Sequence, residues 1–111
     1  MADRNDSHNE VGEQQIEQIE AMERVLDELV AANEALEEAL QRYEQAQECA
    51  NQINYFLGSD EWFAAREADE AGLLPADLKR GILSEDAAFD ALVLNHDAAI
   101  LMLEIATEAL R

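Results

Sequence analysis

The sequence predicts an all-α fold: a helical bundle of three principal helices, with a long N-terminal helix and a short helical turn before the last helix. Three observations predict it. Apolar residues recur at steps of three and four through most of the 111 residues, the period of a helix with one packed face. No segment alternates with period two, as a half-buried strand does. Three of the four glycines and the single proline stand where those periodic stretches stop, the usual punctuation of helices.

Residues 1–10 carry no apolar periodicity and read as a disordered tail, leaving 11–111 as a single helical domain. From about Val11 to Leu57 the pattern is helical. One seam runs Ile19, Met22, Leu26, Leu29, Asn33, Leu36, Leu40, Tyr43, Gln47, Ala50, Asn54 and Leu57, alternating steps of three and four as a heptad stripe does. Ile16, Val25, Val30, Ala32, Ala39, Ala46 and Ile53 widen one flank, as a helix packed in a bundle needs. No proline or glycine interrupts positions 13–57, and a helix that long measures about 68 Å. The rest of the chain is too short to cover it, so part of it should bend or pair with a second copy. Asn33, Gln47 and Asn54 interrupt the seam; buried, such residues set register, and otherwise those stretches are exposed.

Gly58 should end this helix, and Ser59 can cap the next, with Asp60 and Glu61 at its positive end. The second helix, Asp60 to Ala71, stops at Gly72, with Pro75 beyond. A short helical turn over Ala76–Arg80 is expected next, closed by Gly81, for which a positive φ is expected. Ser84 caps the last helix, with Glu85 and Asp86 in its first turn. Its stripe reads Phe89, Leu92, Val93, His96, Ala99, Ile100, Leu103, Ala106 and Leu110, which would leave His96 half-buried.

Twenty-six acidic against seven basic residues set the net charge at −19, while 49% of the chain is apolar. A chain that acidic ordinarily lacks the apolar residues to fold, so the acids are expected to coat a real core. The resulting field favours cationic partners and disfavours bare nucleic acid and anionic membrane. The apolar runs fall far short of the roughly 20 residues of a bilayer span. A single cysteine, Cys49, cannot close an internal disulfide, and Met1–Glu10 is polar throughout; both suggest a cytoplasmic setting.

No catalytic constellation emerges. Val93 stands where a Glu-x-x-His metal motif ending at His96 needs its glutamate, and no histidine lies near Cys49 in sequence. Glu34-x-x-Glu37 with Glu67-x-x-Glu70 has the spacing of the acid pairs of metal-dependent nucleotide pyrophosphatases, a spacing that chance supplies readily in so acidic a chain. Tyr55, Phe56, Trp62 and Phe63 cluster at the first helix–helix turn as a corner core or, alternatively, a pocket. Glu13, Glu17, Glu20, Glu34, Glu37, Glu38 and Glu44 repeat along the long helix at spacings that set like charges about 5–6 Å apart. They form either a solvated face or a charge ladder of the kind a nucleic-acid strand presents.

The run Asp77-Leu78-Lys79-Arg80-Gly81-Ile82-Leu83-Ser84-Glu85-Asp86 is similar to the signature of a bacterial family catalogued as domain of unknown function 4298. Tyr55-Phe56, Ser59, Trp62, Glu67, Asp69, Gly72 and Pro75 fit it too, as does a helix starting near Met22-Glu23. The resemblance covers roughly Ile16 to the C-terminus. The chain departs from the pattern at Ala65, where an aspartate is frequent, and at Phe89, where tyrosine is commoner. What the resemblance implies is a small cytoplasmic helical domain, with no activity attached. In the loop, Lys79 and Arg80 are either a recognition pair or cations lying across carboxylates of the long helix.

Function is therefore expected to be non-enzymatic, without cofactor or metal: an acidic interaction module docking on a basic surface of another protein. Its sharpest form is a nucleic-acid mimic of the anti-restriction or anti-CRISPR kind. The alternatives are an adaptor binding through its apolar seam and a metal-dependent all-α nucleotide hydrolase. A homodimer through the N-terminal half of the long helix is a further expectation.

Overall fold

A computed structural model describes residues 2–111, with side chains from Gly12 onward. The chain is all-α: α1 spans Ala2–Phe56, α2 Asp60–Glu70 and α3 Glu85–Ala109, with a 3-10 turn at Gly81–Leu83. No strand occurs among the described residues. The tail expected over residues 1–10 falls where side chains lie outside those described. The chain forms two compact units, Met1–Tyr43 and Glu44–Arg111, and α1 contributes to both.

Helix ends follow local chemistry. The Ser59 hydroxyl donates to the Phe56 carbonyl at 2.6 Å and accepts from the Trp62 amide at 3.2 Å, so one side chain closes α1 and opens α2. Ser84 does the same service for α3, accepting from the Ala87 amide. Beyond α2, Leu73 N–H reaches the Ala68 carbonyl and Gly72 N–H the Asp69 carbonyl. This pair of bonds requires a left-handed residue, and Gly72 has φ +72°.

Two local expectations are corrected. Gly81 does not adopt positive φ; only Gly58 and Gly72 do so among the described residues. The helical turn falls on Gly81–Leu83 rather than Ala76–Arg80, because Pro75 initiates a single β-turn closed by Leu78 N–H and the chain then straightens. A Cβ would meet nothing within 4 Å at either Gly72 or Gly81, so backbone angle alone separates them. Gly72→Ala is expected to cost about 1 kcal/mol or more, and Gly81→Ala within about 0.5 kcal/mol of zero. Equal shifts in thermal melts of the two variants would contradict that assignment.

Burial is sparse. Only Trp62 (4% exposed) and Ala88 (6%) are buried among the described residues, so the expected coat of acids is present without the expected large core. In the first unit the reason is geometric, since a single helical segment has no other element there to cover its stripe. In the second unit, the α1 seam residues Gln47, Ala50 and Leu57 are half-buried. Ile53 of α1 lines one apolar hollow with Gly81, Ile82, Ala87, Ala88 and Ala91, and the 3-10 turn touches both α2 and α3.

The face that α3 turns inward also differs from expectation. Ala88, Leu92, Asn95, Ala98, Ala99 and Met102 are buried or half-buried. Phe89, Ile100 and Leu103 stay exposed, and so does His96. Close approach of the 3-10 turn favours alanine over bulk, which rotates the packed face by about one residue from the bulkiest stripe.

Candidate functional site

The residues that carry the family-like pattern come together in the second unit. Trp62, the largest buried side chain, donates its indole N–H to the Ile82 carbonyl at 3.0 Å, tying α2 to the 3-10 turn. Phe63 packs edge-on against it at 5.0 Å between centroids, and the Arg66 guanidinium lies 4.9 Å over its ring, a cation–π arrangement. Phe56 is half-buried, whereas Tyr55 is fully open to solvent, so the corner core rests on Trp62 and Phe63 contributes one edge.

Arg80 organises the connection from α2 to the 3-10 turn. Its Nε donates to Asp69 Oδ1 at 2.6 Å. One terminal nitrogen donates to the carbonyls of Ala76 and Leu78, the other to those of Leu74 and Pro75. A rigid planar fork with five donors suits a loop whose carbonyls converge on one point. The cation expected to lie across the long helix instead pairs with α2, because Gly72 reverses the chain and brings 74–80 back along that helix. Lys79, Asp77, Glu85 and Asp86 are exposed. Within the loop pattern Asp77, Leu78, Lys79, Arg80, Gly81, Ser84, it is the Arg80 and Ser84 side chains whose hydrogen bonds shape the fold.

The second constellation is α1. Glu13, Glu17, Glu20, Glu34, Glu37, Glu38 and Glu44 are all exposed. Among the described residues the ion pairs are Arg80–Asp69 and Arg111–Glu108, so Arg24 and Arg42 neutralise none of this row. Glu34, Glu37 and Glu38 border an open recess with Ala31, Ala35 and Gln41. Glu37 and Glu44 flank the apolar seam, whose large residues from Ile19 to Leu40 are 40–61% exposed. The seam was legible as a heptad; that it would remain uncovered followed only from the length argument.

Glu34 and Glu37 belong to the first unit and Glu67 and Glu70 to the second. Among the described residues no three His, Cys, Asp or Glu side chains gather as a metal site. Cys49 is exposed and unpaired with another thiol. No described helix is long and apolar enough to cross a membrane.

No curated protein and no solved structure gives a significant match to the chain. One family does match, described as "Domain of unknown function (DUF4298)", over residues 19–105. That span takes in the seam of α1, the Trp62 corner, the Arg80 loop and nearly all of α3, and with more than half its length matched the chain belongs to the DUF4298 family.

Proposed function

We propose that this chain is a non-enzymatic interaction module that docks the carboxylate face of α1 on a basic surface of a partner protein. The observation that supports it is the exposed acid row, from Glu13 to Glu44, without a bridging cation among the described residues. Uncompensated like charges at helical spacing cost a few tenths of a kcal/mol per pair, and a cationic partner relieves that repulsion on binding. A nucleic-acid mimic that blocks a nucleic-acid-binding protein is the sharpest form of this reading. The setting is cytoplasmic, consistent with a lone exposed thiol.

The test is affinity capture from the native host, followed by a salt titration of the retained partner. The triple reversal Glu34→Lys, Glu37→Lys, Glu38→Lys is expected to weaken binding at least tenfold, and competing DNA to displace the wild type. Binding that ignores both salt and the reversal would remove the proposal. It would then favour an adaptor docking through the apolar seam, a reading that rests on the exposure of that seam.

A further inference from the structure

We infer that α1 pairs with α1 of a second copy as a parallel, in-register, two-stranded coiled coil over Ile19–Leu40, with Asn33 meeting its counterpart. The stretch carries three heptads of apolar a and d positions, broken once, at the a position occupied by Asn33. No element of the first unit covers it, and its large apolar side chains stand about half exposed. Six large seam residues with Val25 and Val30 offer on the order of 100 Å² each, so two copies could bury about 1,600 Å², the size of a stable specific interface.

Charge selects the occupant and its direction. A protomer of net charge −19 repels a copy of itself unless the contacting flanks are free of like-charge pairs. In a parallel pair each g residue faces the partner's following e residue. Those pairs are Gln18 with Glu23, Val25 with Val30, Ala32 with Glu37 and Ala39 with Glu44, so none sets carboxylate against carboxylate. Reversing one helix brings e against e, and Glu23 then faces the partner's Glu37. It also sets Asn33 against the partner's Leu29, leaving an amide unpaired in an apolar layer, whereas the parallel register lets the two asparagines bond to each other. The carboxylates at Glu20, Glu34 and Glu38 lie on the outer side of such a pair and Glu37 and Glu44 on its flank, so the arrangement leaves the outer part of the proposed docking face open.

Sedimentation equilibrium of the full chain at physiological salt is expected to show the mass of two protomers, with dimerisation strengthening as salt rises. In a Cys49→Ser background, Met22→Cys is expected to form a disulfide-linked dimer under mild oxidation. Leu29→Glu, and independently Leu36→Glu, should return the mass to one protomer while Trp62 fluorescence reports an unchanged second unit. Asn33→Leu should tighten association at least tenfold and admit larger assemblies. A single-protomer mass at every concentration, a trimer, or a dimer that survives Leu29→Glu or fails to cross-link through Met22→Cys would overturn the inference.

Discussion

Trp62→Ala is expected to abolish cooperative unfolding of residues 44–111. Trp62 is the only large side chain buried among the described residues, and truncating a buried tryptophan costs about 3–5 kcal/mol, comparable with the whole stability of a small unit. The loss is structural as well as energetic, because the indole N–H holds the Ile82 carbonyl and with it the 3-10 turn that both α2 and α3 touch. Trp62→Phe separates the two contributions. It keeps most of the apolar volume but leaves that carbonyl without its donor, an expected loss of about 1–3 kcal/mol. Circular dichroism melts read both variants. A sharp transition in Trp62→Ala at the wild-type midpoint would show that the unit is held elsewhere.

Arg80→Ala should produce the second largest effect. Its guanidinium satisfies Asp69 and four loop carbonyls at once, and removing it is expected to cost about 2–3 kcal/mol. Little of that is Coulombic. The two side chains are 29% and 34% exposed, so solvent screens the pair and the charge contributes under about 1 kcal/mol. The decisive comparison is therefore Arg80→Lys, which keeps the charge and loses the fork. It should destabilise nearly as much as alanine, while Asp69→Asn should cost far less. Faster amide exchange at Leu78 and Leu83, whose N–H groups close the loop turns, should accompany the loss. If Arg80→Lys melts with the wild type, charge rather than geometry holds the loop.

These two side chains also explain why the family pattern resists a functional reading. Ser59, Trp62, Asp69, Gly72, Arg80 and Ser84 cap helices, reverse the chain or anchor the 3-10 turn. They specify how a short, poorly covered helical unit holds together. The surfaces these residues do not touch are the carboxylates and apolar seam of α1, and the exposed Phe89, Ile100 and Leu103 of α3; the proposed interaction would fall to them.

Much of the architecture is legible in the sequence. Ser59, Gly72 and Ser84 marked helix ends within about a residue, because capping is a local contest between a side chain and the first or last amides. The heptad over Ile19–Leu40 and the outward acids were equally plain, since a helix fixes which side chains share a face. Tertiary contacts decided the remainder. Gly81 was spared a positive φ, Arg80 found Asp69 instead of the long helix, and α3 turned its alanines rather than Phe89 inward. Each of those outcomes depends on where a distant backbone lies, as when Trp62 reaches a carbonyl twenty residues on. Periodicity records which faces could pack; only the meeting of backbones selects the one that does.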